Sequence, residues 1–220
     1  MATHLVGDKF TICDNLDTVK MSSRTSPQTR YHHGNLREAL IEEAGKVLES
    51  QGADAISFRG LARALDVSHA APGHHFADRH ELLAELAADG YSGLADAMAA
   101  GMEGTPPGEW LRATGSAYVH FGVTNPERYR MMFASRFMTG ECPDRLLVES
   151  SRAYLLLLRA AYGRDPEVDP AEYRVGVPEL AAWSIVHGAV MLWLDGQLGP
   201  AMTEAAFIGL AEEMVSGLGA

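Results

Sequence analysis

At 220 residues and 47% hydrophobic, the chain can bury a sizeable core, which excludes a disordered tail and fits one small domain plus a larger one. Its formal net charge of −11 weighs against a nucleic-acid partner unless cations gather on one surface, because phosphate neutralisation supplies most non-specific affinity. Cys13 and Cys142 make no metal-ligand or redox spacing, so the expectation is a cytoplasmic protein with two reduced thiols.

Residues 1–30 read as a flexible arm. Phe10-Thr-Ile-Cys13 is too short an apolar run for a signal peptide, and Asp14 and Asp17 follow at once. Met21-Ser-Ser-Arg-Thr-Ser-Pro-Gln-Thr-Arg30 is positive with no acid, which points to translation starting at Met21. No run approaches the roughly 18 to 20 apolar residues that span a bilayer, since residues 181–194 carry Ser184 and His187, so no membrane partner is expected.

The first helix is predicted from Leu36, Leu40, Ile41, Ala44, Val47 and Leu48, which share one face, and Gly52 ends it. In residues 57–76 two short helical patterns meet at a three-residue turn. Leu61, Ala62 and Leu65 make the buried stripe of the first pattern, Ser57 and Ser68 are the expected N-caps, and Asp66 falls where the turn needs a left-handed residue. That geometry is a helix-turn-helix whose second helix enters the major groove of DNA. This second helix, residues 68–76, contains Pro72 and Gly73. It is expected to be short and weakly self-stable, the glycine costing roughly 1 kcal/mol relative to Ala. Asp78 and Glu81 then open a fourth helix in capping-box fashion, with Leu82, Leu83, Leu86 and Leu94 packing to either side.

Within residues 31–90 five cations, Arg37, Lys46, Arg59, Arg63 and Arg79, stand against ten acids. Glu42, Glu43, Glu49, Glu85 and Asp89 are expected to face away from the groove. Residues 68–76 hold no acid and carry His69, His74 and His75, while Lys20, Arg24 and Arg30 make the preceding arm positive. A metal site built from His32, His33, His74 and His75 lacks cysteine, acidic-ligand spacing and an i, i+4 pair, so no metal is expected.

Gly101, Gly104, Pro106, Pro107 and Gly108 break the helical pattern and mark a boundary. Beyond it, helices are expected over 109–125, with Trp110, Ala113, Ala117 and Phe121 on one side, and over 126–133, 143–162, 178–198 and 203–218, with a loop at 163–170. Strand alternation, internal repeats and low-complexity tracts are missing from the sequence, so the fold class is all-α. No nucleophile, acid and base constellation can be assembled, and neither enzymatic activity nor a cofactor is expected. Trp183 and His187 share a helix face with Met191 and Leu194, and Ala182, Gly188 and Ala189 offer a small-residue surface for close helix packing.

Residues 31–91 resemble the DNA-binding domain of the TetR family of transcriptional regulators. Tyr31-His-His-Gly-Asn-Leu-Arg37 opens the match and Phe76-Ala-Asp-Arg-His-Glu-Leu82 closes it. Asn125-Pro-Glu-Arg-Tyr-Arg-Met-Met-Phe133 and Trp183-Ser-Ile-Val-His-Gly188 resemble the subgroup whose regulatory domain is named for its Trp, His and Gly. The sequence departs from the family at Gly73, where a phosphate-contacting Tyr is usual, at Asp66 in place of the turn Gly, and at Arg79 in place of a Lys.

The resemblance implies a three-helix DNA-binding domain at 31–90 joined by helix four to a ligand-binding and dimerisation bundle at 91–220. It implies a homodimer formed through the last two helices, most simply a repressor on a palindromic operator, released by a small apolar effector. On this reading DNA is met by Arg30, Ser57, Ser68, His69, Ala70, Ala71, Gly73, His74, His75 and Arg79. The effector is met by Trp110, Tyr118, Phe121, Met132, Phe133, Tyr154, His187 and Met191, with Tyr118, His187 and His120 as polar handles. The open alternative is a ligand-binding or protein-interaction module of the same fold with decayed DNA binding, for which Pro72, Gly73 and the acidic balance speak.

Overall fold

The computed structural model describes residues 36–134, 143–165 and 176–217, which form helices and turns with no strand among them. The arm at 1–30, with Arg30, Lys20, Arg24 and Met21, lies outside the described residues, as do Cys13, His32, His33, Cys142 and most of the 163–170 loop.

Helix α1, Leu36–Gln51, buries Leu40, Ala44 and Leu48 completely and stops where Gly52 turns to a φ of +81°. Helix α2, Phe58–Ala64, starts on Ser57, whose hydroxyl accepts the Gly60 N–H at 3.2 Å, and buries Leu61 and Ala62. Asp66 takes the left-handed conformation at φ 55°, with the Val67 N–H closing the turn on the Ala62 carbonyl at 2.9 Å.

The expected helix over 68–76 does not form as an α-helix. In its place stands one 3-10 turn, Ala71–His74. Ser68 does not cap it through its side chain; the capping position is Ala70, and the Ser68 carbonyl accepts the Ala71 N–H. Pro72, which has no N–H to donate, is buried, and its carbonyl receives both the His75 and Phe76 N–H groups at 3.0 Å. Proline and glycine together hold the segment at the tighter turn. Phe76, 1% exposed, then anchors its far end.

Helix α3, Arg79–Met102, opens on Asp78, which accepts the Glu81 N–H at 2.9 Å, while the Glu81 carboxylate takes the Ala77 N–H at 2.6 Å. It runs through Gly101, and the chain turns at Gly104, φ 71°. The glycine-rich break therefore does not isolate α3. A Cβ at Gly101 would lie 3.0 Å from the Ala113 carbonyl, so the glycine lets the backbone of the next helix approach closely. There follow α4 (Trp110–Thr124), α5 (Pro126–Met132), α6 (Asp144–Tyr162), α7 (Val177–Leu194) and α8 (Glu204–Ser216).

Two cores share α3. The first packs α1, α2, Phe76 and the N-terminal half of α3, and takes in Met131 and Leu146. The second packs the C-terminal half of α3, from Leu94 to Met98, with α4, α5, α6, α7 and α8. Tyr91 lies between them and touches both.

Helix α7 is long and apolar enough to cross a membrane, with a mean hydropathy of 1.4 over its 18 residues, which corrects the expectation that no run would qualify. Here it packs against α4, α6 and α8 and buries the Glu179 carboxylate, which takes the Tyr162 hydroxyl at 2.9 Å. The expected small-residue seam is split. Ala182 and Ala189 are buried, Ala189 in the second core, while Gly188 has open space around it. The outward apolar face is made instead by Val177, Leu180 and Leu192 of α7 with Leu210 and Met214 of α8.

Candidate functional site

The residues predicted to meet DNA cluster around the 3-10 turn. His69, Ala70, Gly73 and His74 are exposed, and Ala71 and His75 are half-buried. Ser57 is exposed, yet its hydroxyl is committed to capping α2. Arg59 and Arg63, i and i+4 on the side of α2 away from Leu61, are exposed and add two fixed cations beside the turn. Their spacing against the buried stripe carries that signal in the sequence.

Arg79, expected at a DNA phosphate, bonds two backbone carbonyls in this structure. Its Nε donates to the Ile56 carbonyl at 2.8 Å and an Nη to the Ala53 carbonyl at 2.5 Å, with the Asp54 carboxylate at 3.9 Å. A guanidinium has five N–H donors. Two of them hold the turn that leads into α2.

The acids are not simply turned outward. Glu85 accepts from Arg37 of α1 at 2.6 Å and from Arg145 of α6 at 2.8 Å, and Arg145 also bonds Asp89. Burial alone would push the Glu85 carboxyl up, but the two arginine hydrogen bonds outweigh it and hold the group below the usual carboxylate range. Arg37 lies 5.0 Å from the centre of the Phe76 ring. Glu49 of α1 pairs with Arg128 of α5 at 2.7 Å. Both clamps tie the first core to the second.

In the second core a cavity of about 50 Å³ lies among α3, α4, α6, α7 and the end of α5. Of the residues expected to bind an effector, Tyr118, Phe133 and Tyr154 line it; Tyr91, Ser150 and Trp183, outside that expectation, line it as well. Trp110 does not: its indole N–H bonds the Thr105 carbonyl at 2.8 Å and its ring lies under the Arg159 guanidinium at 4.7 Å. Phe121 covers Gly93 and Met132 covers Gly90, positions where a Cβ would meet them at 3.2 and 2.5 Å. Met191 packs on the edge of the core. Helical spacing assigns a side chain to a face without saying how deep in the bundle it ends, and this is why the expected set divides.

His187 stands behind the cavity wall. Its Nδ1 is 2.7 Å from the Tyr129 hydroxyl and 3.0 Å from that of Tyr118, the two hydroxyls are 2.9 Å apart, and the Trp183 Nε1–H reaches the Tyr118 oxygen at 3.3 Å. Burial raises the Tyr118 and Tyr129 hydroxyls and lowers His187, so all three are neutral near pH 7. His120 lies elsewhere, 3.6 Å from Glu212 on the outer side of α8. Tyr129 belongs to α5, a seven-residue helix that also places Phe133 in the cavity wall, Met131 in the first core and Arg128 against α1.

The described architecture is thus α2 and a following 3-10 turn set on a helical bundle with an aromatic-lined cavity. Residues 111–218 match the family described as "Tetracyclin repressor-like, C-terminal domain". An HTH-type transcriptional regulator of Mycobacterium tuberculosis is 34% identical over 102 residues, 44% of this chain and 44% of that protein; a counterpart in Mycobacterium bovis matches to the same extent. The chain thus spans less than half the length of these curated relatives. A solved protein of unknown function from Rhodococcus sp. RHA1 superposes with a TM-score of 0.67 at 29% identity, over 88% of this chain and all of that one. The TetR family transcriptional regulator PfmR from Thermus thermophilus shares the fold, with a TM-score of 0.55 at 23% identity over 81% and 96% of the two chains. Residues 111–218 thus form a tetracyclin repressor-like C-terminal domain, and the matches together support a regulator of the TetR family.

Proposed function

We propose that the protein is a cytoplasmic, homodimeric DNA-binding regulator, acting as a repressor, that binds a palindromic operator through residues 57–76 and releases it when a small, largely apolar effector enters the cavity. In this reading residues 31–90 are the DNA-binding domain, residues 91–220 the regulatory domain, and the arm at 1–30 adds Arg30 to the contacts. The observation that carries it is α5, which presents Tyr129 and Phe133 to the cavity side and Met131 and Arg128 to the first core and α1. A ligand that moves Phe133 therefore acts on the helix that the DNA-binding unit rests on. Two recognition segments must enter major grooves about 34 to 36 Å apart, so a shift of a few ångströms at each prevents simultaneous docking. The apolar face of α7 and α8 is the surface through which the two copies pair.

DNA contact falls to His69, Ala70, Ala71, Gly73, His74 and His75, with Arg59 and Arg63 beside them; Ser57, Ser68 and Arg79 shape the turn. Selection of binding sites from a random duplex pool with the full chain tests the reading. Enrichment of an inverted repeat with half-sites about one helical turn apart is expected. No enrichment would favour the second reading, a ligand-binding module with decayed DNA binding, for which the single 3-10 turn at Ala71–His74 and the −11 net charge are the specific observations.

A further inference from the structure

We infer that Arg145 of α6 is a positioning residue for the DNA-reading segment, which it holds through Glu85, Arg37 and Phe76. The inference rests on the proposed function for what that segment reads, and it adds a route to the segment that does not pass through α5. Helix α6 reaches both cores. Ser150, Ala153, Tyr154 and Leu157 line the cavity, and Leu146 is buried in the first core. Arg145 lies next to Leu146, about 18 Å along the helix axis from Leu157 at 1.5 Å per residue.

Each oxygen of the Glu85 carboxylate has an arginine of its own. Arg37 of α1 donates to Oε1 at 2.6 Å and Arg145 to Oε2 at 2.8 Å, with the Glu85 side chain 11% exposed between them. The Arg37 guanidinium also stands over the Phe76 ring, 5.0 Å from its centre. That ring packs against Phe58, the first residue of α2, with centroids 6.4 Å apart, and the Phe76 N–H bonds the Pro72 carbonyl of the 3-10 turn at 3.0 Å. Phe76 therefore touches both halves of the reading segment, and Arg37 is a charged group packed on it. When Arg145 withdraws, Oε2 loses its donor at a site with little access to water, which is costly. The other guanidinium on Glu85 is that of Arg37, whose fork can take both oxygens. To do so it must turn on the Phe76 ring. Arg145 can leave Glu85 without losing every partner, because it also bonds Asp89, one turn further along α3. The same two helices carry a second ion pair one heptad on, Arg152 with Asp96. The described partners of Arg152, Asp96 and Glu149, lie on α3 and α6 alone. Both pairs join α3 to α6, and only the first leads to Phe76, so the second is an internal control.

The test labels the full chain with fluorophenylalanine and follows the fluorine NMR resonance of Phe76, assigned by its loss in Phe76→Leu. Arg145→Gln should move that resonance and weaken operator binding by about 2- to 30-fold, the span of a substitution along a coupling network. Arg152→Gln should change neither. In a Glu85→Gln background Arg145→Gln should have no further effect, because the link is already cut. Arg145→Lys, which keeps the charge and loses the fork, should move the resonance less than Arg145→Gln does. If Arg145→Gln does not fold, the comparison of Arg145→Lys with Arg152→Lys decides alone, with movement expected only in the first. An unmoved Phe76, equal movement in the Arg145 and Arg152 variants, or an undiminished effect in the Glu85→Gln background overturns the inference. Movement of Phe76 with operator affinity unchanged upholds the link and counts against the proposed function; weakened operator binding with Phe76 unmoved does the reverse.

Discussion

The two cores of this protein are held together by different means. The first is aliphatic inside: Leu40, Ala44, Leu48, Leu61, Leu82 and Leu83 are at most 1% exposed, Phe76 closes the end, and the charges lie on the rim as the Arg37–Glu85–Arg145 clamp. The second buries two tyrosine hydroxyls against a histidine beside a cavity. A close-packed aliphatic core without a cavity tolerates little change of volume. A core with internal polar groups and free volume can rearrange around a guest, and on the proposed function the contrast separates a rigid reader from a responsive bundle.

The largest expected effect is in the rigid core. Phe76→Ala should cost about 3–5 kcal/mol, the usual range for truncating a buried phenylalanine, measured as the loss of unfolding free energy in urea. Tyr129→Phe should cost less, about 1–3 kcal/mol, by removing the hydroxyl bonded to both Tyr118 and His187 and leaving them short of a partner. If Tyr129→Phe proves the more damaging of the two, the contrast between the cores is wrong.

Arg79→Ala should destabilise by about 1–2 kcal/mol, through loss of the bonds to the Ile56 and Ala53 carbonyls. A thermal melt that does not move would return Arg79 to a role at the DNA phosphates. Gly73→Ala is expected to stabilise by about 0.5–1 kcal/mol: the position is exposed, a Cβ there meets nothing within 4 Å, and its φ is not positive. Destabilisation by this change would show that the turn needs glycine.

The cores should also differ in their response to acid. His187 has a folded pKa lowered by burial, so below the ordinary histidine value near 6.5 the unfolded chain binds a proton that the folded one refuses. Stability is complete above that value and falls as pH drops towards the folded pKa; His187→Gln should remove the slope. Glu85 works in a lower window. Its folded pKa is depressed, so its contribution is present above about 4.5 and is lost as pH falls through the folded value. Denaturant melts across the pH range that show one step instead of two would merge the windows and contradict the assignment.

Much of the fold is legible in the sequence because capping and periodicity are local. Ser57, Asp66 and Asp78 perform the cap and turn roles expected of them, and the helix limits fall within a few residues of the predicted ones. The recognition segment is not legible to the same degree. Pro72 and Gly73 mark it as weak, but the choice of a 3-10 turn depends on Phe76 and Pro72 both being buried against the first core, which is tertiary information. Tyr129 escapes a sequence reading for a similar reason. Its partner His187 lies 58 residues further on, and nothing in the spacing of α5 announces the contact.

The most direct test of the coupling between cavity and reader needs no knowledge of the effector. Ala153, 6% exposed, lines the cavity, and Ala153→Leu fills it from within. Operator affinity of this variant would be read by fluorescence anisotropy on the duplex selected above, with circular dichroism to show that the fold is intact. The account predicts a folded protein whose affinity is weaker by about 5- to 150-fold, the range of ordinary allosteric couplings. A folded Ala153→Leu protein that binds the operator as tightly as the parent would contradict it.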